Sequence, residues 1–465
     1  MNKSLDQLVR KYEEMIGQEK SIYFDADQIE AIAFSFESKE DFKEALNVVN
    51  YGLQLHPANP SLLLCKAKYL LFLDYIDAAG ELLPLLPDDS EEATLIHIEY
   101  QFAQGNFKLG FDRINQQMDS LSWEFALDVI NILWSYVTYD EIISFILSSL
   151  KKLPDNPQLL GELAAIYQDN GEEDQAIRIY NQLLDRDPYQ VEIWRELAKT
   201  YSLKKDYEKA IEACDFALAI QEGTPEILCL KGYCQYDMGN FAGALNSFKE
   251  YEATGDDLNR SYEYISDCYI KMEQIAEAIA YLNKALTLKP DNQYLLYQLA
   301  YCYQDMGNTP MAKEFLHKGL ALNEEQLECH AMLGEILVQE DNYEEAFQAY
   351  HRALLLEPEN VELLATLGDL CERLDQMENA VIYYEQAHEI KKYDIKILFR
   401  LLLGYYATNQ SDKAATLSDE IIALTDQIES DSSGLTEEEK REIEDASAMV
   451  DTIKKLLQEI IENKN

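Results

Sequence analysis

Basic residues are scarce in this chain. Lys and Arg number 39 against 86 Asp and Glu, a formal charge of −47. Such a field repels nucleic-acid phosphate and anionic lipid, so neither nucleic acid nor membrane is an expected partner; it favours basic or neutral proteins or, on the plainer reading, simply keeps an acidic exterior solvated. Glycine (18) and proline (11) are also few, as expected of an almost wholly helical chain. The most apolar stretch, EIISFILSSL, is too short and too interrupted to span a bilayer. The opening MNKSLDQLVRKYEEMIGQEK lacks the apolar core and cleavage site of a signal peptide. A soluble, cytoplasmic protein is expected. CxxC, HExxH, a phosphate-binding loop and a GxSxG elbow are all missing, and the six histidines form no metal-spaced pair. Neither a catalytic residue nor a cofactor nor a metal site is therefore expected.

What is present is apolar enough to fold, at 47% hydrophobic residues, and rich in tyrosine, with 31. It is also periodic. GYCQYDMGN (232–240) returns as AYCYQDMGN (300–308), an offset of 68 that halves to 34. Alanine recurs at that period at 176, 210, 244, 278, 312, 346, 380 and 414. A second ladder is uniformly small: Ala164, Ala198, Gly232, Ser266, Ala300, Gly334 and Gly368. A third is mostly aromatic, with Tyr167, Tyr201, Tyr269, Tyr303 and Tyr405, broken by Gln235, Leu337 and Cys371.

Each period holds two helices. Trp194, Leu197, Ala198 and Tyr201 fall at i, i+3, i+4 and i+7 on one face of a first helix, and Ala210, Cys214 and Ala217 mark a second. A short polar turn joins them, with glycine at 171, 239 and 307, where a left-handed residue ends the first helix. Small ladders let antiparallel helices approach closely, with a large side chain filling the space beside each small one. One such pair cannot bury its own apolar face, so neighbours must stack.

Large–Leu–small–Tyr, then Ala, aromatic, Ala and Pro over 34 residues resembles the tetratricopeptide repeat. Trp194, Leu197, Ala198, Tyr201, Ala210 and Ala217 carry the resemblance in one repeat, and Leu367, Gly368, Ala380, Tyr384 and Ala387 in another. Regular repeats begin at Pro157, Val191, Pro225, Asn259, Gln293, Leu327, Val361 and Ile395. Four divergent ones begin at Ala26, Pro60, Glu91 and Trp123, with Gly110 and Ile142 where alanine is expected. The expected organisation is a capping helix in 1–25, divergent repeats in 26–156, regular repeats in 157–428, and a polar linker and capping helix in 429–465. In that last segment Thr436 and Glu439 have capping-box spacing, and Ile443, Met449, Ile453, Leu457 and Ile460 form an apolar stripe. The resemblance implies an all-α fold, an α-solenoid in the form of a right-handed superhelix of helix-turn-helix repeats with helical caps.

Cys234, Cys268 and Cys302 occupy one position in three successive repeats. Stacked helices lie about 8–10 Å apart, whereas a disulfide needs Cα atoms within about 7 Å. These cysteines are therefore expected to be small buried hydrophobes, unbridged and reduced.

The resemblance also implies a concave groove lined by fixed positions of each first helix, binding a peptide or protein segment. Those positions hold Tyr233, Tyr236 and Asp237, then Glu263 and Asp267, then Tyr294, Tyr297, Tyr301, Gln304 and Asp305. Glu328, Glu335, Glu362, Asp369 and Glu372 follow; Arg195 and Lys199 precede the tyrosines, and Lys396, Phe399 and Tyr406 come last. Tyrosine offers broad contact at low entropic cost, and the flanking carboxylates suit a basic and apolar segment. Arg195 and Lys199 only partly echo the Lys and Asn set with which one subtype grips C-terminal carboxylates, which disfavours that role. Ordinary groove surface in a tyrosine-rich chain is the plainer account of the same residues. Two functions remain: a non-catalytic protein–protein interaction scaffold, and an acidic chaperone or assembly factor for basic or aggregation-prone clients.

Overall fold

A computed structural model describes residues 3–17, 22–87, 90–392 and 394–419. The expected C-terminal linker and capping helix lie outside the described residues. Among these residues the fold is all-α and contains no strand. The chain divides into two compact units, Met1–Cys234 and Gln235–Asn465.

In the first unit a single helix, Lys3–Gly17, precedes the helix pairs. Its Val9, Tyr12 and Met15 are buried in one cluster with Ile29, Ile32 and Phe36. The pairs run in order from Ala26–Glu37 with Phe42–Leu55 to Val191–Leu203 with Tyr207–Ile220, followed by Pro225–Asp237. The divergent stretches are helix pairs too, Glu91–Ala103 with Phe107–Gln117 and Trp123–Trp134 with Tyr139–Lys152. Gly110 stands against the Phe102 ring, where a methyl group would collide, and Ile142 is 1% exposed. Both departures from alanine are thus matched to their neighbours.

In the second unit Phe241–Thr254 is followed by Leu258–Lys271 with Ile275–Leu288, Gln293–Asp305 with Thr309–Leu322, and Leu327–Gln339 with Tyr343–Leu356. Val361–Arg373 with Met377–Ile390 comes next, then Ile395–Ala407 and helical residues 411–419. Polar side chains set where the first helices start. Asn156, Asn292, Asn360 and Asp394 each accept a backbone N–H from the first turn. One helix starts a residue earlier than the period places it, at Leu258 rather than Asn259, because Asp257 caps it by accepting from Arg260 N.

The alanine ladder lies wholly inside, with all eight members at 0% exposure. Two glycines of the small ladder face aromatic rings. A Cβ on Gly334 would lie 2.6 Å from the Tyr350 ring, and one on Gly368 would overlap Tyr384. Cys234, Cys268 and Cys302 are fully buried and unbridged, and burial raises the thiol pKa of Cys268 and Cys302 to about 12. They are packing residues.

Candidate functional site

Successive residues of a helix point about 100° apart, so adjacent positions can have opposite fates. Cys302 is buried, while Tyr301 before it is 42% exposed. Cys234 and Tyr233 show the same contrast in the first unit, at its last helix.

In the second unit this alternation produces a pocket of about 320 Å³. Tyr236, Asp267, Tyr294, Tyr297 and Tyr301 line it, and all of them belong to the groove set read from the sequence. Ile270, Lys271 and Gln298 line it as well and were not in that set. Lys271 lies four residues beyond Asp267, and Gln298 four beyond Tyr294. Helical spacing from the predicted residues is the signal that could have found both.

The remaining predicted positions lie elsewhere. Asp237 and Asp305 are exposed near the ends of their helices and do not line the pocket. Glu263 accepts hydrogen bonds from Asn259 Nδ2 (2.6 Å) and Asn292 Nδ2 (3.2 Å), which ties two successive first helices together. Gln304 Nε2 donates to Gln339 Oε1 at 2.8 Å in the next repeat.

Asp267 organises the pocket. Tyr294 Oη donates to its carboxylate, 3.1 Å from Oδ1 and 3.3 Å from Oδ2, and Gln298 Nε2 donates to Tyr294 Oη at 2.8 Å. Burial raises the Asp267 pKa to about 6, with Glu263 adding to the rise and the Tyr294 hydrogen bond and Lys271 opposing it. The phenols move the same way. Burial and the nearby Asp267 push Tyr236 up to about 12, and burial raises Tyr294 and Tyr297. The rings are therefore neutral near pH 7, with aromatic faces available for contact.

Several other charged groups on the first helices have partners within the protein. Arg400 pairs with Glu372 at 2.7 Å and lies 3.4 Å from Asp369. Arg195 and Lys199 both pair with Glu196, at 3.1 and 2.9 Å. That internal pairing gives a physical reason for their poor match to a carboxylate grip. A larger cleft of about 730 Å³ includes Lys313, held by Glu340 at 2.7 Å, and Glu314, held by Lys318 at 2.8 Å. Asp267 makes no ion pair among the described residues.

No group of three or more His, Cys, Asp or Glu among the described residues is placed to hold a metal ion. No described helix is long and apolar enough to cross a membrane.

Family profiles described as tetratricopeptide repeat match residues 157–200, 269–336, 327–360 and 361–394. A profile described as anaphase-promoting complex, cyclosome, subunit 3 matches 203–285. A curated relative, anaphase-promoting complex subunit 7 of Dictyostelium discoideum, is 27% identical over 114 residues, covering 24% of this chain. The match spans 20% of that relative's length. Among solved structures, the C-terminal part of a repeat protein from Cytophaga hutchinsonii is 18% identical, with TM-score 0.44, over 53% of this chain and 98% of that one. The APC/C hetero-tetramer Cut9–Hcn1 is 15% identical, with TM-score 0.37, over 81% of this chain and 83% of that one.

Proposed function

Because the chain belongs to the tetratricopeptide repeat family, we propose that it is a non-catalytic, cytoplasmic scaffold that binds a segment of another protein along its first helices. The observation that carries this reading is the tyrosine-lined pocket at Asp267. Exposed large hydrophobic side chains gathered beside a carboxylate mark a contact surface more often than a solvated one. Tyr294 and Tyr301 are 45% and 42% exposed, although both stem from one helix whose other face is buried. The bound segment is basic and apolar, to suit carboxylates and rings together. With a charge of −47, neither nucleic acid nor an anionic membrane is its partner.

The test is comparative capture of proteins by the wild type and by a Tyr294→Ala/Tyr297→Ala/Tyr301→Ala variant, at low and moderate salt. Loss of a small set of proteins from the variant supports the reading, and identical sets refute it. The charge favours a second reading, an acidic chaperone for basic clients. Its mark is a broad basic set that is released by salt and insensitive to the tyrosines.

A further inference from the structure

Asp267 is half-buried, faces a pocket, and has no cation within ion-pair distance among the described residues. Among the described residues its one hydrogen-bond donor is the Tyr294 hydroxyl, which reaches both carboxylate oxygens and leaves lone pairs on each. Around it stand the rings of Tyr236, Tyr294, Tyr297 and Tyr301. We propose that this pocket seats the guanidinium group of one arginine of the bound segment, paired with Asp267 and stacked against the tyrosine rings. The inference rests on the reading of the first-helix face as a peptide site, and specifies which side chain anchors there.

Three physical arguments select arginine. A planar guanidinium offers parallel N–H donors to a carboxylate and stacks on aromatic faces, and it is more weakly hydrated than an ammonium. Entering a pocket walled by phenol rings therefore costs it less than it costs lysine. Neutral tyrosine faces also attract a cation through the ring quadrupole. The charges around Asp267 permit it. Glu263 lies on the same helix, Asp237 on the preceding first helix, and the facing tyrosines are neutral. Among the described residues Lys271, which draws the Asp267 pKa down, is the one opposing charge. It is exposed and forms no ion pair there, so it can extend into solvent when a second cation arrives.

The test begins by selecting peptides from a randomised display library on the full chain. The expected peptides share an arginine and bind less well to Tyr294→Ala/Tyr301→Ala. Replacing that arginine by citrulline, its neutral isostere, should weaken binding to the wild type roughly 10- to 100-fold, and replacing it by lysine should weaken binding several-fold. Asp267→Asn should weaken the arginine peptide by the same factor as citrulline, yet leave the citrulline peptide unchanged, which makes the effects non-additive. Lowering the pH from 7.5 to 5 protonates Asp267, so wild-type affinity for the arginine peptide should fall while that of Asp267→Asn stays flat. The citrulline comparison requires no change in the protein and so survives any folding defect in the variant. Peptides that need the tyrosines but bind equally well with citrulline would overturn the arginine seat and leave the peptide site standing. Failure to select any peptide that the tyrosine variant loses would overturn both.

Discussion

A single side chain decides whether two helices of a repeat can meet. Gly334 lies against Tyr350, while one repeat earlier the same two positions hold Ala300 and Leu316, both buried. The chain thus contains two solutions to one volume constraint. Gly334→Ala alone should destabilise the protein by about 1–3 kcal/mol through overpacking. Gly334→Ala/Tyr350→Leu copies the neighbouring repeat and should recover at least about 1 kcal/mol of that loss. Urea unfolding of the two single variants and the double variant checks this, and simple additivity would refute it. Asp267 offers a second prediction at this scale. Its pKa of about 6 lies above the ordinary value of 3.8, so its stabilising contribution is full below about pH 4 and is lost as pH rises through 6. Near pH 7.5 the ionised carboxylate costs about 1–3 kcal/mol. Asp267→Asn, which still accepts from Tyr294, should therefore unfold at higher urea than the wild type at pH 7.5 and at the same urea at pH 4. Equal midpoints at both values would show that Asp267 is solvated. The groove positions that the family resemblance implies placed Asp267, Tyr294 and Tyr301 on one surface, and the structure gathers them in one pocket. The sequence alone could not show that Glu263 and Gln304 are bonded across to the next repeat, since spacing within a helix does not identify the neighbour a side chain meets.

At the scale of the helix pair, the turn was only half legible. Glycine marked it at 171, 239 and 307, but the structure uses the left-handed conformation at the same position in every regular repeat. Lys205, Glu273, Asp341, Asp375 and Asn409 have φ between 57° and 62° there. Lys205 and Glu273 hid the turn because nothing in their chemistry announces a positive φ; Asp341, Asp375 and Asn409 are of types that tolerate it, and the 34-residue period marks all five. The turn is thus imposed by the packing of the two helices it joins, and the local residue only modifies its cost. Glu273→Gly should stabilise the protein by about 0.5–1 kcal/mol, and Gly307→Ala should destabilise it by about 1 kcal/mol. A Cβ on Gly307 meets no atom within 4 Å, so that loss would be purely conformational. Thermal unfolding of the two variants measures both. Shifts of the same sign would mean that side-chain contacts, rather than φ, govern this position.

For the whole molecule, the charge is the dominant fact. The ladders that set the fold are apolar and small, and none of their members carries charge, so the −47 falls outside the packing pattern. Acidic residues crowd the surface of each unit, and the basic residues that could offset them are partly committed to pairs such as Lys68–Glu37, Lys231–Asp215 and Lys413–Glu385. Like charges confined to a compact unit repel one another, whereas an unfolded chain relaxes that repulsion. The range of the repulsion is set by salt, about 30 Å at 0.01 M and about 8 Å at 0.15 M. Raising sodium chloride between these limits should therefore raise the thermal midpoint by several degrees. Most of the gain should come at the lower end, where the screening length falls below the size of a unit. The same screening should weaken capture of a basic partner, so salt moves stability and binding in opposite directions. A midpoint that fails to rise with salt would mean that internal ion pairs already balance the field. The attraction for basic segments would then have to come from Asp267 and its tyrosines alone.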